Sequence, residues 1–277
     1  MISRPRRPER LERRLARVAR ELGLDRERLR RWVSFLALCG VLERALNEGI
    51  LGTYCLKGGV ALELRFAQRV RATKDLDLAL EGTRTSRLQT LSDALRLGFD
   101  EFTFRVKAQT RDMEQADTVR VQIAVQYRTR SWQTVEVDLG PAKAGQVDLV
   151  EPRIQGVAEL GIPVISPVRC LGLADQVAQK LHACTGPAAT GRARDVLDIL
   201  LIDMLGGLDY RATTVAACCV FQERGTHPFP PAFVMPEEWR PELEGLAAEL
   251  GFSLPTASAI ERRFLDFIQM LKETESG

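Results

Sequence analysis

Apolar and polar residues alternate along this chain in two rhythms, and the switch between them predicts its organisation. Leu11, Leu15, Val18 and Leu22 recur at helical spacing, which predicts an amphipathic helix over residues 8–22. Asp25 is placed to cap a second helix reaching about Asn47, with Trp32, Phe35, Leu36, Val41 and Leu42 turned inward. GTYCLK then reads as a short strand ending at Gly58-Gly59, VALELRFAQ as a helix, KDLDLAL as a period-two strand and SRLQTLSDALRLGF as a helix. Three β-rich stretches follow: FTFRVKAQ, DTVRVQIAVQYR and WQTVEVDLG. Their alternation predicts antiparallel neighbours with one packed and one polar face.

After a connection over residues 141–168 that contains proline and glycine, the rhythm becomes helical. VRCLGLADQVAQKLHAC, ARDVLDILLIDML, RATTVAACCVFQER, PELEGLAAEL and AIERRFLDFIQMLKE all carry the pattern. The expected architecture is an N-terminal half that mixes helices and strands, residues 1–150, joined to a helical C-terminal half, residues 151–277. No internal repeat or low-complexity segment interrupts it.

Composition narrows the chemistry. With 277 residues, 45% hydrophobic and 27% charged, the chain can bury a substantial core and has the balance of a soluble globular protein. No apolar run approaches the roughly 20 residues that span a bilayer. The arginine-rich start lacks the apolar stretch of a secretory signal, so a cytoplasmic protein without membrane association is expected. Six cysteines show no C-x-x-C spacing and there are two histidines, His182 and His227, which argues against a zinc site or a disulfide framework. Catalysis would have to rest on carboxylates, lysine, arginine or a metal. The net charge of +2 is small, but arginines crowd the first twenty residues, at positions 4, 6, 7, 10, 13, 14, 17 and 20. Such an arm can attract phosphate backbones, or it can be a solvated helix face laced with Glu–Arg pairs.

Candidate chemistry begins at Lys57-Gly58-Gly59, where a strand gives way to a helix. Backbone N–H groups there, unobstructed by side chains, can receive a phosphate. In DLDLAL, Asp75 and Asp77 share the face opposite Leu76, Leu78 and Leu80. Two like charges so close need open water or a positive partner. A third carboxylate arises on a later strand, where TVEVDLG sets Glu136 and Asp138 opposite Val135 and Val137. Acids converging from separate strands can hold divalent cations suited to in-line attack on phosphorus. Farther on, Lys180 stands alone in a helix whose packed side holds Leu173, Val177 and Leu181. It could meet a triphosphate or extend to solvent. Arg192, Arg194, Asp195 and Asp198 open the next helix, and the two aspartates can share a face.

This ordered series resembles a known family. LKGGVALEL followed by Thr73-x-Asp75-x-Asp77, then LADQVAQKLHA and GRARDVLDIL, is similar to the AbiEii-type (MenT-like) nucleotidyltransferase toxins of bacterial abortive-infection and toxin–antitoxin systems, within the polymerase-β-like superfamily. The matches run from about residue 30 to 205. The resemblance implies an α+β fold: a polymerase-β-like core with a mixed or antiparallel sheet and flanking helices, followed by a helical C-terminal region. It implies Mg2+ or Mn2+ held by Asp75, Asp77 and Asp138, and a nucleoside triphosphate, CTP among the candidates, as substrate. Lys57, Gly58, Gly59, Thr73 and Arg194 would contact the nucleotide, and Lys180 with Asp195 or Asp198 would complete the catalytic set. The acceptor would be the 3′ end of tRNA, the partner a cognate antitoxin. A protein or small-molecule hydroxyl as acceptor, or an inactive RNA-binding module, would be the alternatives.

Overall fold

The computed structural model describes residues 4–113, 117–142, 145–163, 165, 167–187 and 189–276. The chain forms two compact units. Met1–Gln68 and Ala72–Cys170 make the first, Arg69–Arg71 and Leu171–Gly277 the second. Among the described residues no helix is long and apolar enough to cross a membrane.

The first unit is built on a sheet. Strands β1 (Tyr54–Lys57), β2 (Asp75–Leu80), β3 (Phe102–Met113), β4 (Thr118–Tyr127), β5 (Arg130–Pro141), β6 (Val147–Val150) and β7 (Val168–Leu171) lie in the order β3-β4-β5-β2-β1-β7-β6. β3, β4 and β5 are successive antiparallel neighbours, as their alternation predicts. β2 then runs parallel to β5 and antiparallel to β1, so the sheet is mixed.

Helices α1 (Pro8–Leu22), α2 (Arg26–Asn47), α3 (Gly58–Phe66) and α4 (Arg84–Arg96) belong to the same unit. Asp25 does cap α2, its Oδ1 accepting from the Arg28 N–H at 2.6 Å. Leu38 and Leu42 of α2, Leu91 and Leu95 of α4, and Leu76, Leu78, Ile123 and Val137 of the sheet line one apolar interior. Because these strand residues point inward, their neighbours Asp75, Asp77, Arg120, Glu136 and Asp138 are presented on the opposite face.

Two short strands depart from the sequence reading. Val168–Leu171 was expected to be helical, but it forms β7, which pairs in parallel with β1 through Leu56 and Cys170. Burial decides this: Val168 and Cys170 are fully buried within the sheet, and helix begins only at Leu173. β6 lies in what read as connection. Leu22, expected on the packed side of α1, is 38% exposed in the last turn.

The second unit holds α5 (Leu173–Thr185), α6 (Ala193–Leu205), α7 (Tyr210–Arg224), α8 (Arg240–Leu250) and α9 (Ala257–Ser276). Its interior is formed by Phe221, Leu243, Ile260, Phe264, Phe267 and Leu271.

Candidate active site

Register brings charged residues of four strands into line. Lys57 of β1 is opposite Asp77 of β2, Asp77 is opposite Asp138 of β5, and Asp138 is opposite Arg120 of β4. Residues directly opposite in a sheet share a face. Lys57, Asp77, Asp138 and Arg120 therefore form one row with a cation at each end and two acids between. A parallel row beside it holds Asp75, Glu136 and Gln122.

Arg120 binds these acids together. Its Nε and Nη2 each donate to one oxygen of Asp138 at 2.6 Å, and Nη2 also reaches Asp75 Oδ2 at 3.2 Å. Glu136 Oε2 lies at 3.5 Å from Nη1. A two-pronged arginine–carboxylate bond is among the stronger polar contacts a protein makes. The hydrogen bonds to Asp138 hold Arg120 well above the ordinary guanidinium range, against the opposing effect of burial. The positive charge lying between the acids of β2 and β5 in this structure is thus an arginine side chain, one the sequence reading did not single out.

Two glycines shape the other side of the row. Gly58 adopts φ +62°, a left-handed conformation, and a Cβ there would lie 1.8 Å from Asp77 Oδ2. Only glycine admits both the backbone and the close approach. Gly59 faces Thr73, whose Cβ and Oγ1 would stand 2.8 Å from an added Cβ. The start of α3 consequently lies against the Asp77 and Thr73 side chains, with its positive end toward the carboxylate. Lys57 precedes it, and its Nζ is 3.4 Å from where a Cβ on Gly140 would project.

Thr73 is held in a short relay. Its Oγ1 donates to Asp75 Oδ1 at 3.1 Å, and its backbone N–H donates to Glu63 Oε2 at 3.1 Å. Glu63 is 1% exposed, and Arg28 Nε donates to its other oxygen at 2.8 Å. Burial raises the Glu63 pKa, while Arg28 and the Thr73 amide pull it back. Glu63 and Arg28 escaped the sequence reading, because a glutamate and an arginine in amphipathic helices look like surface charges.

The second unit contains its own charge cluster. Lys180 Nζ donates to Asp195 Oδ1 at 2.6 Å and to Asp198 Oδ2 at 2.8 Å. Arg71 grips Asp198 with Nε at 3.1 Å and Nη2 at 2.9 Å, and Arg192 reaches Asp195 at 3.4 Å. Asp198 is fully buried, and Lys180 and Asp195 are nearly so. Burial alone would lower the Lys180 pKa, but Asp198 and Asp195 outweigh it and hold the ammonium at about 12. Burial would likewise raise Asp198, yet Lys180 and Arg71 keep its carboxyl below the usual range. Two aspartates thus share one lysine, and Asp198 is the more deeply anchored. Arg194 is not part of this cluster. Its side chain is exposed and pairs with Glu242 at 2.7 Å.

Divalent ions of the magnesium class prefer hard oxygen donors, which Asp75 and Asp77 offer side by side. Among the described residues no three His, Cys, Asp or Glu side chains are grouped closely enough to hold a metal. The donor chemistry of Asp75 and Asp77 fits such an ion, with the Asp75 oxygens held by Thr73 and Arg120 and both oxygens of Asp138, the third acid, on Arg120.

Comparison with known proteins matches residues 41–270 to the family described as nucleotidyl transferase AbiEii toxin, type IV TA system. No curated protein is significantly similar in sequence. Among solved structures, MenT4, a nucleotidyltransferase toxin from Mycobacterium tuberculosis H37Rv, aligns over 93% of this chain and 98% of its own, with 15% identity and a TM-score of 0.55, the same fold. The antibiotic-resistance factor ANT(2'')-Ia in solution aligns with 70% of this chain and 94% of its own (17% identity, TM-score 0.40). Its crystal structure with adenylyl-2''-tobramycin aligns with 69% and 99% (18% identity, TM-score 0.42).

Proposed function

The chain belongs to the AbiEii family of nucleotidyltransferase toxins of type IV toxin–antitoxin systems, and on that footing we propose that it transfers nucleotides from a nucleoside triphosphate, CTP or another pyrimidine, to the 3′ end of tRNA. The protein is an enzyme of the nucleotidyltransferase class, and its family pairs such a toxin with a cognate antitoxin. Blocking the tRNA end in the cytoplasm would stop aminoacylation and so translation.

The observation that carries this reading is the charged row across β1, β2, β5 and β4, with the start of α3 packed against it. Asp75 and Asp77 would hold Mg2+ or Mn2+. The ion supplies Lewis-acid chemistry at phosphorus and lowers the pKa of the attacking hydroxyl. Gly58 and Gly59, lacking a Cβ, bring the start of α3 against Asp77 and Thr73, so a phosphate drawn to this row would meet the positive end of that helix. Lys57, at the end of the row, adds a cation on the same face. The relay from Glu63 through Thr73 fixes the Asp75 carboxylate, so the site is set before substrate arrives. In the second unit, the Lys180 ammonium has three protons, of which Asp195 and Asp198 take two. The third is left by these two carboxylates for a further oxygen.

Incubation with each of the four labelled triphosphates, Mg2+ and purified tRNA tests the proposal. Label is expected at the tRNA 3′ end with a pyrimidine triphosphate, and Asp75→Ala is expected to abolish it. Label in a protein or small-molecule product, with none in RNA, overturns the acceptor assignment. Transfer that survives Asp75→Ala overturns the site.

A further inference from the structure

Helix α1 carries a feature that the catalytic reading leaves unused. Its inner side is closed: Leu11, Leu15, Val18 and Ala19 are buried. Its outer side bears Arg10, Arg13, Arg17 and Arg20, all exposed. Spacings of three, four and three residues put these arginines on one ridge, about 15 Å long at about 1.5 Å per residue.

Most of the ridge is left without a close acid. Arg10, Arg13 and Arg20 have no acidic partner among the described residues. Arg17 meets Glu21 only at 3.9 Å, with both side chains about half exposed. Nearby acids are engaged elsewhere, Glu9 with Arg130 at 2.6 Å and Glu12 with Arg26 and Arg30 at 2.8 and 2.6 Å. The helix itself is fastened down. Arg14 donates to the Leu160 carbonyl at 2.9 Å, and the Tyr127 hydroxyl to the Pro5 carbonyl at 2.7 Å.

We propose that this arginine ridge is a docking surface for the phosphate backbone of an RNA acceptor, an inference that rests on the nucleotidyl-transfer reading above. Every ridge residue is arginine, whose planar fork matches phosphate oxygens two at a time. Neighbours on such a ridge stand about 5–6 Å apart at their Cβ atoms, an interval at which long, flexible side chains can follow a strand of phosphates. Size also points to a polymer. The Glu9–Arg130 pair ties one end of the ridge to the start of β5, and Asp138 lies eight residues farther along that strand (138 − 130). At about 3.3 Å per residue this is about 26 Å. A ligand that touches both the ridge and the acids is longer than a nucleotide or a drug-sized molecule.

The test compares the full chain with a variant combining Arg10→Gln, Arg13→Gln, Arg17→Gln and Arg20→Gln, and with the matching four-lysine variant. Binding of a fluorescent tRNA-sized RNA is measured from 50 to 200 mM salt, with melting curves to verify folding. Each phosphate contact contributes about 0.7–0.9 to the slope of log affinity against log salt, so the glutamine variant should lose about 3. Its affinity deficit should then be about 50–150-fold larger at 50 than at 200 mM salt. The lysine variant should keep the wild-type slope. If the four-fold variant fails to fold, Arg10→Gln with Arg20→Gln should still lose about half that slope. An unchanged slope and affinity overturns the ridge, as does polyglutamate competing as well as RNA at equal charge. Labelled transfer is followed in parallel. RNA labelling by both proteins alike sinks the ridge alone, while no labelling of RNA by the wild type sinks the acceptor reading.

Discussion

If Arg120 stands in for a cation among the acids, then Arg120→Gln should make the protein bind divalent ions more tightly. Arg120 Nη2 lies 3.2 Å from Asp75 Oδ2 and 2.6 Å from Asp138 Oδ2. An ion bound to Asp75 at a usual distance of about 2.1 Å would sit about 5 Å from the guanidinium. Repulsion between charges of +2 and +1 at that separation is about 1.7 kcal/mol at the dielectric of water and about 6.6 kcal/mol at an effective dielectric of 20. Arg120 and Asp75 are each about one-third exposed, so the true figure lies toward the lower bound. Removing the charge should therefore tighten Mn2+ binding by at least about tenfold, a free-energy change of about 1.4 kcal/mol. Glutamine keeps a donor near Asp138, and Arg120→Lys, which keeps the charge, should stay close to wild type. Free Mn2+ followed by electron paramagnetic resonance reads the affinity without reference to turnover. Equal or weaker Mn2+ binding by Arg120→Gln would show that the arginine organises the acids for the ion instead of competing with it, and the reasoning would fall.

Other substitutions probe the remaining features. Lys180→Met strips the shared cation from two buried aspartates and should cost about 3–5 kcal/mol in urea unfolding; a loss below about 1 kcal/mol would mean that water enters the cluster. Gly58→Ala forces a Cβ into the Asp77 carboxylate and strains a left-handed residue by about 1–2 kcal/mol, so label transfer should fall at least a hundredfold while the fold persists. Activity within threefold of wild type would contradict the close approach. His182 provides a pH prediction. Burial, then Arg224 and His227, lower its pKa from 6.5 to about 4. Arginine only donates, so His182 Nδ1, 3.2 Å from Arg224 Nη1, is the acceptor and the neutral ring fits. The unfolded chain binds the proton more readily, so stability should be full above pH 6.5 and decline as pH falls toward 4, by at most about 3 kcal/mol. His182→Gln should flatten that part of the urea-midpoint profile, and a profile unchanged by the substitution would refute it.

Much of the fold could be read from periodicity because many elements bury one face against the interior of their own unit. The Asp25 cap, the alternation of β2, β4 and β5 and the five C-terminal helices all follow from local pattern. β7 was misread for a reason inherent to short apolar runs. Val168–Leu171 abuts the helix that starts at Leu173, and four residues cannot reveal a period; only pairing with Leu56 makes them a strand. The site was legible in kind and less so in arrangement. Asp75 and Asp77 declare a shared face by their spacing, but the register that sets Asp138 beside Asp77 belongs to the sheet. Arg120 was hidden for the same reason, since on its strand it is one polar residue in an ordinary alternation. Arg71 is 127 positions from the Asp198 it grips, a separation at which sequence spacing carries no signal.

The way the polypeptide is threaded has a consequence for anyone dividing it. Arg69–Arg71 is assigned to the second unit although the chain on either side belongs to the first. A fragment cut to begin at Leu171 would leave behind the guanidinium that clasps Asp198. Its interior would then carry two carboxylates and one ammonium, a net negative charge sealed from water. Co-expressed halves divided at that point would have to trade this arginine across a broken backbone, so a fragment meant to represent the helical portion has to carry Arg69–Arg71 with it.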